Sequence, residues 1–224
     1  MCVAQVRTKA ELIHAGNENA QRRAVEVLQT GGLVAFPTDT VYGLGALPWN
    51  KGAVARLYQA KQRPLDMPIP LLLSDAEQLG HVAILPPRFR RQCRKLIARF
   101  WPGGLTLVLA KTRMVLNVVS PGPTVAVRVP DLLLTRDLIR KAGGVLAVTS
   151  ANISGRFNSI TAQEVEEQLG ERIDLILDGG LCQGGVPSTI LDCTVSPPLL
   201  LRHGAIPEAA LCAIIGPIKI PNEE

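Results

Sequence analysis

Short apolar runs alternate with amphipathic stretches along most of this chain, and that alternation predicts a mixed α/β sheet protein. Residues 19–30 read as a helix stopped by Gly31-Gly32, and 33–36 as a short apolar strand. Residues 38–45 leave that strand as a polar turn. Residues 52–61 form a helix with Val54, Leu57 and Tyr58 inward, closed by Pro64, and 69–73 form the next strand. The stretch 87–100 is a two-faced helix. Phe89, Cys93, Leu96 and Phe100 face the core, while Arg88, Arg91, Lys95 and Arg99 make a basic stripe. Strands follow at 105–110 and 125–129, then a helix at 132–142 ended by Gly143-Gly144. Residues 145–148 are apolar on both faces and so predict a buried strand. Thr161-Ala162-Gln163-Glu164 is a capping box that starts another helix. Strands at 175–177, 189–191 and 199–201 and a helix at 208–215 complete the pattern. No linker divides the chain. The expectation is one domain over residues 1–215 (core about 21–205) and a short tail at 216–224, with the Pro-Asn-Glu-Glu end loose.

Composition narrows the class. With 47% hydrophobic and 19% charged residues in 224, the chain is expected to be compact and soluble, with ample core. A net charge of +5 tolerates polyanionic partners, but 4% aromatic residues argue against a stacking platform for single strands. Cys2, Cys93, Cys182, Cys193 and Cys212 include no Cys-x-x-Cys pair, and His14, His81 and His203 are scattered. Neither a metal site nor a disulfide framework is expected, and free thiols suit a reducing cytoplasm. Neither a signal peptide nor a membrane-spanning run is visible.

Four polar clusters follow apolar strands, where open α/β sheets place ligands. In Pro37-Thr38-Asp39-Thr40-Val41-Tyr42-Gly43-Leu44-Gly45, hydroxyls can bond a small polar ligand; a plain Thr/Asp turn also accounts for them. Lys61-Gln62-Arg63-Pro64 sets two cations two residues apart. In an extended exit both heads share one side and can grip a triphosphate, although cations at a helix C-terminus are also favoured by the helix dipole. In Thr149-Ser150-Ala151-Asn152-Ile153-Ser154-Gly155, Ser150 and Asn152 alternate toward one ligand or form an ordinary turn. Ser188-Thr189-Ile190-Leu191-Asp192 precedes Arg202-His203-Gly204. Arg202 and Arg128 are charges in apolar strands and need a partner, either an internal carboxylate or an anionic ligand. None of these is a Walker A loop, a dinucleotide loop or a nucleophile elbow.

In this order, PTDTVYGLG (37–45), KQRP (61–64), WPGGLTLVL (101–109), TVAVRVPD (124–131), TSANISG (149–155), STILD (188–192) and RHG (202–204) resemble the YrdC/Sua5 family over about residues 21–205. The resemblance implies a single-domain YrdC-like fold: a twisted, mixed, open β-sheet flanked by helices, with a concave ligand cavity. It implies an L-threonylcarbamoyladenylate synthase, making threonylcarbamoyl-AMP and pyrophosphate from L-threonine, bicarbonate and ATP. Mg2+ rides on the phosphates, and a downstream transferase moves the product onto tRNA adenosine 37. Carried over by motif, Thr40, Arg128 and Ser188 hold threonine. Lys61, Arg63, Thr124, Ser150, Asn152 and Arg202 hold ATP, Asn158 is a weaker nucleotide candidate, and Lys61 and Arg63 are the catalytic cations. Such a site needs no activated Ser or Cys, because alignment and cationic stabilisation suffice.

The chain departs from the family pattern at Gly104, where the family commonly has proline, and at Met67 and Leu72, where many relatives carry histidine. Two other readings stand beside the enzyme. One is a double-stranded RNA or tRNA-binding module, supported by the net charge and the basic stripe. The other is a carbamoyl-adenylate-using transferase module, known from larger proteins.

Overall fold

The structure is a computed structural model, and it describes residues 9–220. The Pro-Asn-Glu-Glu end and Cys2 lie outside the described residues. In chain order the elements are β1 (Glu11–His14), α1 (Ala20–Gln29), β2 (Val34–Phe36), β3 (Gly43–Ala46), α2 (Lys51–Lys61), β4 (Leu71–Leu73), α3 (Leu79–Val82), β5 (Ala83–Ile84), α4 (Arg90–Phe100), β6 (Leu105–Lys111), β7 (Thr124–Arg128), α5 (Leu133–Lys141), β8 (Val145–Ser150), α6 (Ala162–Leu169), β9 (Leu175–Asp178), β10 (Thr189–Asp192), β11 (Leu199–Arg202) and α7 (Glu208–Ile215). The strands form one open sheet in the order β1-β9-β2-β3-β8-β4-β7-β6-β10-β11, with β5 paired to β6. The β1/β9, β2/β9, β4/β7 and β6/β10 pairs are parallel and the others antiparallel, so the sheet is mixed.

The pleat sends alternate side chains to two faces, and the two faces have different fates. Leu71, Leu73, Leu105, Leu107, Leu109, Val125 and Val127 enter the larger core, closed by Leu57 of α2, Cys93 and Leu96 of α4, Val165 of α6 and Leu211 of α7. On the other face Val34, Phe36, Leu72, Leu146, Val148, Leu175 and Leu177 pack under Ala24 and Leu28 of α1 and Leu138 and Ile139 of α5. These two helices cover that face only from β9 to β4. Past it, Thr106 and Val108 of β6, Ala126 and Arg128 of β7 and Ile190 of β10 face an uncovered hollow.

The 38–45 turn is shorter than its polarity predicts, because Gly43–Ala46 is a buried strand between β2 and β8. Its glycines are needed there. A Cβ on Gly45 would sit 2.7 Å from the Phe36 ring, and one on Gly43 would sit 2.9 Å from Val148 Cγ1. The α3–β5 segment and the exposed edge strand β1 were not legible in the pattern. The capping box at Thr161 forms with a shift. Thr161 Oγ1 accepts from Glu164 N at 3.2 Å, while Glu164 Oε2 accepts from the N–H of Ile160, the residue before the cap, at 2.6 Å.

The 87–100 helix opens with a tight turn at Pro87–Phe89 and buries Cys93 and Leu96 as expected. Its exposed cations therefore lie on the side of the sheet opposite the hollow. No helix among the described residues is long and apolar enough to cross a membrane.

Candidate active site

The hollow has a volume of about 350 Å³. Its floor is the pleated surface of Pro70, Leu72, Val108, Ala126, Val148 and Ile190, and its walls carry Thr40, Arg63, Thr106, Arg128, Ser150, Asn158, Ser188 and Arg202. An apolar floor with a few convergent polar groups is the usual make-up of a small-ligand site.

One end is built around Arg128, the last residue of β7, which is 6% exposed. Its Nε donates to Gly103 O at 2.9 Å, its Nη1 to Thr40 Oγ1 at 2.9 Å and its Nη2 to Asp39 Oδ1 at 2.5 Å. Burial lowers the guanidinium pKa, and the Asp39 charge opposes that shift. Thr40 is fixed in turn by Thr38, whose Oγ1 lies 3.0 Å from Thr40 Oγ1, accepts from the Thr40 amide and donates to Val41 O at 2.7 Å. Across the hollow, Arg202 Nε donates to Ser188 O at 2.9 Å and its Nη2 to Ser188 Oγ at 3.0 Å. Ser188 Oγ also lies 2.8 Å from Thr106 Oγ1. Burial, then the neighbouring Arg128 charge, lowers the Arg202 pKa.

The other end holds Arg63, Ser150 and Asn158. Arg63 Nε and Nη2 donate to the carbonyls of Met67 and Pro68, at 3.2 and 3.0 Å, and so brace their own loop beside the hollow. Burial lowers the Arg63 pKa too. An arginine stays protonated even so, which leaves three cations on one cavity. Asp39 is the one carboxylate hydrogen-bonded to any of them among the described residues.

Lys61, Asn152 and Thr124 are not brought to the hollow. Gln62 ends α2 in the left-handed conformation, with φ 54° and ψ 41°. The chain reverses there, so the two-residue alternation expected of an extended exit does not apply, and Lys61 and Arg63 take different partners. The Lys61 ammonium is 1% exposed and donates to Ser150 O and Asn152 O at 2.6 Å each and to Asn152 Oδ1 at 3.2 Å. All three of its N–H bonds are thereby used. Burial, then the Arg63 charge, pulls its pKa from 10.5 down to about 7. Asn152 uses its amide N–H bonds on Ile153 O and Arg156 O, because β8 ends at Ser150 and the alternation ends with it. Thr124 shares the face of Arg128 but lies four residues along β7, roughly 13 Å away at the rise of a strand.

The residues that sequence reasoning passed over are Thr106 and Asp39. Thr106 had a signal: it is the polar position in the apolar alternation Leu105, Leu107, Leu109. Asp39 had none beyond sitting in a quoted motif, because its partner comes from a strand 89 positions away.

An open mixed sheet with a hydroxyl- and guanidinium-lined hollow on its uncovered half defines an α/β ligand-binding fold distinct from Walker-loop and dinucleotide folds. The chain belongs to the Sua5/YciO/YrdC family, described as telomere recombination, whose pattern matches residues 26–204. It is 42% identical over 200 residues to the threonylcarbamoyl-AMP synthase of Pyrococcus abyssi, covering 89% of this chain and 58% of that protein. It is 38% identical over 184 residues to the threonylcarbamoyl-AMP synthase of Vibrio vulnificus, covering 82% of this chain and 97% of that one. The solved structure of P. abyssi Sua5 complexed with L-threonine superposes with a TM-score of 0.88 at 40% identity, covering 95% of this chain and 62% of that chain. E. coli YciO follows with a TM-score of 0.76 at 26% identity, covering 88% of this chain and 96% of that one. The chain thus spans 58–59% of the length of the Pyrococcus and Bacillus subtilis relatives.

Proposed function

We propose that this chain forms threonylcarbamoyl-AMP and pyrophosphate from L-threonine, bicarbonate and ATP, and is thus an adenylate-forming nucleotidyltransferase. The observation that carries the reading is the placement of Arg63, Arg128 and Arg202 around one hollow with Asp39 as their single carboxylate partner among the described residues. Such a site has an excess of positive charge for anionic substrates. The resemblance to synthases named for this product supplies the chemistry.

The threonine carboxylate goes to Arg128, with Thr40 and Ser188 beside it. The threonine nitrogen attacks the bicarbonate carbon and water leaves, giving a carbamate. A carbamate oxygen then attacks the α-phosphorus as the bond to pyrophosphate breaks. Alignment of the attacking oxygen with phosphorus provides most of the rate, and Arg63 and Arg202 stabilise charge on the phosphates. Ser150 and Asn158 take the nucleotide side. Lys61 and Asn152 act through the loop they hold together, and Thr124 stays on the nucleotide side by resemblance. The walls offer hydroxyls and guanidiniums, so Mg2+ enters on the phosphates. A separate transferase consumes the product on tRNA. Four free thiols, Cys93, Cys182, Cys193 and Cys212, suit a reducing cytoplasm.

The test is pyrophosphate release from MgATP with threonine or bicarbonate omitted in turn. Release needing both, with a threonine–AMP adduct, is expected. Release needing neither overturns the reading, and release with carbamoyl phosphate in their place transfers it to the carbamoyl alternative.

A second, compatible reading is contact with a nucleic-acid backbone such as that of tRNA. It is favoured by the exposed side of α4. Arg88, Arg90, Arg91, Arg94, Lys95 and Arg99 lie there, and residues 87–100 contain no acid. Like charges four apart, and cations in the first turn, both disfavour a helix. These six account for the whole net charge, since the other 18 Lys and Arg face 19 Asp and Glu. RNA retention should fall with salt at a log–log slope of about −0.9 per phosphate contacted. Arg91→Glu with Lys95→Glu should abolish it and leave pyrophosphate release intact; unchanged retention makes the face plain solvated surface.

A further inference from the structure

Arg128 is a buried cation in an apolar strand, and such a charge is tolerated only when it is paired and hydrogen-bonded. On β7 it is flanked by Leu72 of β4, its register partner, and by β6, where Leu107 pairs with Val127. The sheet itself therefore offers the guanidinium little. Its partners come instead from the 37–42 turn and from Gly103. Consecutive residues of the turn take its two terminal nitrogens, Thr40 the first and Asp39 the second.

That turn is held from behind. The Gly185 amide donates to Thr40 O at 2.9 Å, and Gly184 lies so close that a Cβ would come within 2.3 Å of Asp39 O. Asp39 is absent from the walls of the hollow, whereas Thr40 and Arg128 are part of them. A guanidinium has five N–H bonds, and three are assigned. One remains on each terminal nitrogen, and two such N–H bonds can together hold a carboxylate.

We infer that Asp39 is a positioning residue for the amino-acid end of the cavity, holding Arg128 so that its remaining N–H bonds meet a carboxylate. The inference rests on the proposed reading that this end takes threonine. Asp39 has a second effect, on charge. A guanidinium already paired with one carboxylate suits a singly charged carboxylate better than a polyphosphate, and Arg63 and Arg202, which have no such partner among the described residues, are left to the phosphates. Asp39 thus helps to keep the two substrates at their own ends.

The experiment titrates wild type, Asp39→Asn, Arg128→Gln and the double variant with L-threonine and separately with MgATP, with melting curves as the fold check. Asp39→Asn should weaken L-threonine about tenfold to a hundredfold, the range set by losing a charge-assisted contact in a buried site. MgATP affinity should change less than about twofold. Inorganic pyrophosphate should compete little with threonine in the wild type and more strongly in Asp39→Asn. In the Arg128→Gln background the same change should add nothing to the threonine loss. Equal weakening of both ligands, or a further threonine loss in that background, overturns the positioning role. If Asp39→Asn melts early, Asp39→Glu, which keeps the charge, should recover part of the threonine affinity, and no recovery counts against the inference. A wild type that binds MgATP but no L-threonine sinks the functional reading instead. Positioning is then judged from a crystal structure of Asp39→Asn, in which Arg128 should leave Thr40 and Gly103, and an unmoved Arg128 overturns it.

Discussion

Lys61 Nζ lies 2.6 Å from the backbone oxygen of Asn152, across 91 residues of chain, and with Ser150 O it ties the end of α2 to the end of β8. Lys61 and Arg63 therefore do different work, and their substitutions should part company. Lys61→Ala leaves the backbone and side-chain oxygens of Asn152 without a donor, while Ser150 O keeps the Asn152 amide and the Thr149 hydroxyl, a cost of roughly 2 kcal/mol. For a chain of this size that lowers Tm by about 4–8 °C. Arg63→Ala should melt near wild type yet lose about tenfold to a thousandfold in pyrophosphate release. Thermal melts run beside the assay decide it; two variants with the same melting point would remove the clamp.

The same ammonium gives a pH dependence. Its pKa falls from 10.5 to about 7 on folding, so between those values the unfolded chain holds a proton that the folded chain gives up. Stability rises with pH wherever the unfolded state binds more protons, so the cost of burying the charge is full below pH 7 and relieved toward pH 10. The Tm of wild type, measured against Lys61→Met, should accordingly gain as pH rises from 7 to 10. The opposite slope would mean that the three carbonyls hold the proton more firmly than burial expels it.

Thr106→Val keeps the shape of the β6 side chain and removes the hydroxyl that meets Ser188 Oγ at 2.8 Å. Ser188 keeps Arg202 but loses one of its two side-chain partners. A neutral hydrogen bond contributes about 1 kcal/mol, which is roughly fivefold in the threonine KM, with the ATP KM unmoved. Steady-state kinetics with each substrate varied in turn provide the check.

Gly104, where proline is common in the family pattern, has a local reason. A Cβ there would lie 2.7 Å from the Ala205 Cβ, and its own carbonyl accepts from Thr189 N at 2.9 Å, next to Ser188. Gly104→Ala should cost about 1–3 kcal/mol by overpacking. Ala205→Gly should restore much of that loss, and a double-mutant cycle on Tm measures the coupling. Simple additivity would show that the two positions do not share the space.

Periodicity was a good guide wherever one element ran uninterrupted. The two-faced helix at 87–100, the α7 bounds and the strands around Arg128 follow directly from it. It misled at element ends. In sequence the Lys61/Arg63 and Ser150/Asn152 pairs have the spacing of two-residue alternations, yet both straddle the last residue of a helix or strand, where Gln62 turns left-handed and β8 stops. Gly43–Ala46 was hidden because glycine carries no burial signal, although the Phe36 ring needs its absence of side chain. Asp39 depended on long-range pairing, which no local pattern contains.

The half-covered sheet separates two kinds of position within single strands. In β6 and β7, odd-numbered residues such as Leu107 and Val127 hold the molecule together, while the even-numbered Thr106, Ala126 and Arg128 line the hollow. A substitution at an even position changes the lining of the hollow, while the odd-numbered residues keep the core on the other face of the sheet. Lineages can therefore change substrate along these strands without first finding a new way to fold, and a designer seeking altered chemistry has a short list of places to begin.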